Sequence, residues 1–140
     1  MKKFFALLVA IMMTLSFAAM AEFDAGKTIN VVSREEGSGT RGAFVELTGV
    51  LTKDAEGKEI DNTSLEADTV NSTSQVMTTV GQDEYAIGYA SLASVEGDNT
   101  VKALKVNGVV ASTEDILNGS YPVARPFNVV TAGVGAVEDV

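Results

Sequence analysis

The 140-residue sequence contains no histidine, no cysteine and no tryptophan. Each absence excludes chemistry. Without histidine or cysteine there is no Ser-His-Asp triad, no thiolate nucleophile and no metal held by imidazole or thiolate. No disulfide framework can form. The missing cysteine also removes the lipid-attachment site that tethers many exported bacterial proteins, so no lipoprotein anchor is expected. Basic residues are scarce: ten Lys and Arg stand against nineteen Asp and Glu, for a formal charge of −9. Such a chain is a poor ligand for nucleic acid. Apolar runs long enough to cross a bilayer are also lacking.

What is present begins with a leader. Met1-Lys2-Lys3 precedes an apolar run from Phe4 to Leu15, and small residues end at Ala19-Met20-Ala21. A basic start, a short apolar centre and an A-x-A site predict a signal peptide over residues 1–21. The processed chain, residues 22–140, is then expected to be exported, periplasmic or secreted, and not membrane-spanning. It is long enough for one domain with one core.

The remainder alternates strand-like and helix-like segments, which predicts an α/β fold with a mostly parallel sheet flanked by helices. Thr28 to Ser33 reads as a strand. Ala43, Phe44, Leu47, Val50 and Leu51 give an apolar helical face on a helix opening at Ser38 or Gly39, with Gly49 as its stop. Thr52 to Asn71 is polar and aperiodic and reads mostly as loop. Ser74 is expected to cap a helix closed by Gly81, and Ala86 to Ala90 reads as a buried strand. Val101 to Val106 reads as a half-exposed strand leading to a tight turn at Asn107-Gly108. Ser112 or Thr113 caps a short helix ending at Asn118-Gly119, and Pro126 to Thr131 reads as a last strand.

The segment that carries chemistry is Ser33-Arg34-Glu35-Glu36-Gly37-Ser38-Gly39-Thr40-Arg41. Here a strand gives way to a glycine-rich turn and a helix start. Free amides at a helix start carry partial positive charge. Glycines let an anion approach the main chain. Ser38 and Thr40 add hydroxyl donors, and the Arg34 fork suits two oxyanion oxygens. The combination suits a small tetrahedral oxyanion. The plain alternative is a capping sequence with no ligand. Neither a Walker P-loop nor a nucleophile elbow is present.

Val31 to Arg41, with Phe44 following, resembles the phosphate-binding proteins of bacterial ABC phosphate transporters, of the type 2 periplasmic-binding-protein superfamily. Ser74 to Val80, Ala86 to Leu92, and Lys105 to Val109 through Gly119 to Pro126 fit the same family in the same order. The resemblance implies one lobe of a two-lobed, hinged binding protein that closes on inorganic phosphate. It implies that Arg34 is the charge clamp, Ser38 and Thr40 are hydroxyl donors, and Gly39 donates a backbone N–H. Family members place a further lobe, with a proton-accepting carboxylate, before this segment. The chain therefore reads as the second lobe, with a first-lobe chain and the transporter permease as implied partners. Glu35 and Glu36 read as solvated acids. Ile87-Gly88-Tyr89 reads as a strand packed on the first helix rather than a site wall. Arg125 is expected either to contact the other lobe or to be exposed. No cofactor, metal site or enzymatic assembly is indicated. The alternative function is a solitary exported interaction domain, or a remnant, whose glycine-rich turn is only a cap.

Overall fold

The computed structural model describes residues 23–126, so the leader and the expected strand beyond Pro126 lie outside the described residues. Strand β1 (Asn30–Arg34) is the centre of a three-stranded parallel sheet. It is flanked by β4 (Asp68–Val70) and β5 (Ala86–Gly88), in the order β4-β1-β5. Helix α1 (Gly39–Leu47) follows β1, and helix α2 (Thr73–Gln82) links β4 to β5. Strands β2 (Leu51–Lys53) and β3 (Glu59–Asp61) form a separate antiparallel hairpin after α1. Two short helices follow, α3 (Leu92–Val95) and α4 (Thr113–Leu117). The expected α/β architecture with a parallel sheet is what the chain forms.

The side chains of β1 explain its central place. Val32, 1 % exposed, packs on the same side of the sheet as Val76 of α2, which is 2 % exposed. Val45 of α1 and Tyr85 complete the buried apolar set among the described residues. Gly88 lets α2 come close. A Cβ there would stand 2.9 Å from a methyl of Val76 and 3.2 Å from one of Val80. On the other side of the sheet, the paired residues Val31 and Ile87 are about two-fifths exposed. The strand from Ala86 is thus open on one face, not buried as its apolar sequence suggested. A parallel sheet is ordinarily covered on both faces.

Several local expectations are met and several are corrected. Ser38 caps α1, and Gly49 follows its end at φ +73°. Asn107 (φ +52°) and Gly108 (φ +83°) form the tight turn between Val106 and Val109. Ser112 caps α4 by accepting from the Asp115 amide at 3.0 Å. The cap of α2 is Ser72 rather than Ser74, because the chain is still extended at Ser72 when it leaves β4, and its Oγ accepts from the Gln75 amide. Gly81 lies inside the last turn of that helix instead of ending it. The polar stretch from Thr52 contains β3 and β4, the second a sheet strand next to β1. Val101 to Lys105 forms no strand; only the Val106–Val109 bridge is present there.

Candidate functional site

The turn between β1 and α1 is set by its own backbone. The Glu35 amide still donates to the Val70 carbonyl, so the sheet ladder runs one residue past β1. The chain then reverses, with the Ser38 amide donating to the Glu35 carbonyl at 3.1 Å. Ser38 is extended (φ −74°, ψ 118°), and its Oγ accepts from the Arg41 amide at 3.3 Å. The Gly42 amide donates to the Ser38 carbonyl. The amides of Gly37, Gly39 and Thr40 have no acceptor among the described residues. These are the orphan donors that every helix start leaves, here placed at the carboxyl end of a parallel strand.

Arg34 precedes them at the end of β1, its side chain only 11 % exposed. Its fork is engaged. Nε and Nη2 donate to the two Glu35 carboxylate oxygens at 2.9 Å each, and Nη1 donates to Thr73 Oγ1 at 3.0 Å. Glu35 is therefore not a free surface acid. The hydrogen bond from Arg34 holds the Glu35 carboxyl below its ordinary value of 4.5, and the same bond raises the guanidinium above its own. The carboxylate takes the Nε/Nη2 edge of the guanidinium, so an added anion is left with the Nη1/Nη2 edge.

The floor of the turn is polar and fully satisfied. Ser33 is 3 % exposed, and its Oγ lies 3.0 Å from the Tyr89 hydroxyl. The Arg34 amide donates to that same hydroxyl at 3.0 Å. The Tyr89 ring stacks on Phe44 of α1, with centroids 4.2 Å apart and planes 9° from parallel. Of Ile87-Gly88-Tyr89, expected to pack on the first helix, only Tyr89 does so, since Gly88 lies against Val76 and Val80 of α2 and Ile87 is exposed; Tyr89 also fixes the backbone from which Arg34 projects. No pattern in the sequence pointed to that second role.

Two more arginines approach the helix start. Arg41, within the first turn, pairs with Asp61 of β3 at 2.5 Å. Hydrogen bonds from the Thr63 hydroxyl and amide, with Arg41 adding to them, hold the Asp61 carboxyl below the usual range. Arg125 is exposed, and its Nη2 donates to the Gly39 carbonyl at 3.0 Å. A depression of about 190 Å³ lies elsewhere, beside Thr28 to Val31, Ser64, Glu66 and Asp68, and shares no residue with the turn. Among the described residues no three acidic side chains gather to hold a metal ion, and no helix is long and apolar enough to cross a membrane.

Arg34, Ser38, Gly39 and Thr40 are thus brought into one turn at the end of a parallel strand. This is a strand-turn-helix unit of an α/β lobe, and the chain belongs to the PBP superfamily domain family. Residues 18–136 match the PBP superfamily domain. The chain is 55 % identical over 104 residues to phosphate-binding protein PstS 2 of Streptococcus agalactiae serotype V, covering 74 % of this chain and 35 % of that protein. It is 50 % identical over 113 residues to phosphate-binding protein PstS 2 of Streptococcus pneumoniae serotype 4, covering 81 % and 38 %. The chain spans just over a third of the length of these relatives. Among solved structures, it superposes on a phosphate-binding protein of a phosphate ABC transporter from S. pneumoniae TIGR4 with a TM-score of 0.65 and 52 % identity. That match covers 69 % of this chain and 36 % of the other. A protein described as a phosphate ABC transporter substrate-binding protein with bound phosphate, from Clostridium perfringens, gives a TM-score of 0.56 at 41 % identity. It covers 66 % and 34 %.

Proposed function

We propose that this chain binds inorganic phosphate, as the substrate-binding component of an ABC phosphate uptake system or as one lobe of it. Arg34, Ser38, Gly39 and Thr40 are the proposed ligands. The observation that carries the reading is the conjunction in one strand-turn-helix segment: three acceptor-free amides at Gly37, Gly39 and Thr40 directly after Arg34, whose side chain is 11 % exposed. The similarity to phosphate-binding proteins over most of the chain supports the choice of phosphate among tetrahedral oxyanions. In this reading the amides of Gly39 and Thr40 and the two hydroxyls donate to phosphate oxygens. Arg34 supplies charge from its Nη1/Nη2 edge. The reading assigns binding, not catalysis.

The proposal includes export, with residues 1–21 removed as a signal peptide and residues 22–140 forming the second-lobe domain. It also includes a permease and a first-lobe partner surface. One lobe alone leaves the anion open to water. Each hydrogen bond to a charged group contributes about 1.5–3 kcal/mol, against several kcal/mol for immobilising a ligand. The chain by itself is therefore expected to bind phosphate with a Kd on the order of millimolar, and a closed site far more tightly.

The test is a phosphate titration of the wild-type chain and of Arg34→Ala, followed by the amide chemical shifts of Gly39 and Thr40. Saturable shifts at millimolar phosphate, lost in the variant, support the proposal. Wild-type amides that do not respond to phosphate would overturn it.

A further inference from the structure

The sequence contains three arginines: Arg41 lies in the first turn of α1, Arg125 bonds it, and Arg34 ends the strand that leads into it. Cations at a helix start oppose its dipole, so this grouping is locally unfavourable unless negative charge joins it. Two of the three already have such charge. Arg34 is closed on Glu35, and Arg41 on Asp61. Arg125 differs. It comes from 86 residues away in sequence, and among the described residues its bond is to a neutral carbonyl rather than a carboxylate. Its Nη2 lies 3.6 Å from where a Cβ of Gly39 would stand, on the flank of a residue whose amide faces the proposed ligand.

The charge of the turn depends on this residue. The Arg34–Glu35 and Arg41–Asp61 pairs each cancel. Exposed Glu36 remains, and it repels an anion. Without Arg125 the charged side chains of the turn are net negative, on a chain that is already −9 overall. With Arg125 they balance, and the partial positive charge of the free amides stands unopposed.

Building on the phosphate reading of the turn, we propose that Arg125 is a further affinity-determining residue for the anion, acting by charge on the Gly39 side of the site. Its hydrogen bond to the Gly39 carbonyl positions the guanidinium, and its remaining N–H groups are available to the anion. Charge is the property required, so lysine can substitute and glutamine cannot.

The experiment compares the wild-type chain with Arg125→Lys, Arg125→Gln and Arg34→Ala in phosphate titrations at low and high ionic strength, with thermal unfolding of each. Arg125→Gln is expected to weaken phosphate binding about fivefold at low salt, and the deficit is expected to shrink as salt screens the charge. Arg125→Lys is expected to stay within about twofold of wild type, since it keeps the charge. Wild-type affinity in Arg125→Gln, with binding lost in Arg34→Ala, would overturn the role of Arg125 and leave the phosphate reading intact. Equal, salt-independent weakening in both Arg125 variants, with a lowered Tm, would also overturn it, because Arg125 would then be only a latch. A wild-type chain that ignores phosphate would overturn the phosphate reading itself, and this inference with it.

Discussion

Glu35 grips the guanidinium of its own neighbour, Arg34, through two hydrogen bonds of 2.9 Å, an arrangement in which the carboxylate occupies one edge of the fork that an incoming anion would use. The proposed site therefore contains its own competitor. An acid at this position both neutralises the arginine and holds it in place, and the two effects pull binding in opposite directions.

Glu35→Gln separates them. Glutamine is nearly the same size but carries no charge. Phosphate affinity at pH 7 is expected to rise about three- to tenfold, as a competing charge is removed. Titration of the variant against wild type checks this, and a fall in affinity would show that the positioning effect dominates.

The same pair makes stability depend on pH. Glu35 titrates below its ordinary value of 4.5 in the folded chain, so the unfolded chain takes up that proton first as the pH falls. The contribution of the pair is fully present above pH 4.5 and is lost as the pH drops through the lowered folded value. Urea denaturation at a series of pH values from 6 downward is expected to give a shallower loss for Glu35→Gln than for wild type. Parallel curves would show that the pair contributes nothing to folding.

Tyr89→Phe keeps the stack on Phe44 and removes one oxygen. The Arg34 amide then loses its acceptor and the Ser33 hydroxyl its partner, both at a part-buried position. Leaving such groups unpaired costs about 1–3 kcal/mol. Chemical denaturation is expected to show that loss, and the phosphate titration a weaker site, since the strand end that projects Arg34 is loosened.

Gly88→Ala tests how α2 is held. The added methyl would stand 2.9 Å from Val76, closer than side chains pack, and 3.2 Å from Val80, so the helix is expected to shift away from β5. Overpacking of this kind costs about 1–3 kcal/mol. Because Thr73 at the start of α2 bonds Arg34 Nη1, phosphate binding is expected to weaken together with stability. Stability falling while affinity holds would show that α2 does not help to position Arg34.

The part of this molecule legible in the sequence is the part fixed by neighbours along the chain. Ser38, the glycines around it and the apolar face at Phe44 specify a strand, a turn and a helix with local signals alone. Asn107-Gly108 does the same for its turn. β4 was hidden because Asp68-Thr69-Val70 is short and polar, and it becomes a strand only by pairing with Val32 to Arg34. Val101 to Lys105 shows the converse, since alternating apolar and Lys residues make no strand without a partner edge. The ligand candidates were readable from Arg34 to Thr40. The Glu35 grip was not, because adjacent residues at a strand end ordinarily point to opposite sides. The approach of Arg125 to Gly39 spans 86 residues and leaves no local trace.

The hairpin after α1 has a mechanical meaning. It leaves the far end of that helix and returns through Asp61 to clasp Arg41 in the opening turn. One ribbon thereby touches α1 at both ends, so a slide of the helix along its axis either moves the ribbon or breaks the Arg41–Asp61 pair. A rearrangement that shifts the opening turn while the Arg41–Asp61 pair holds carries Leu51 to Asp61 with it, which ties this outlying loop to the turn.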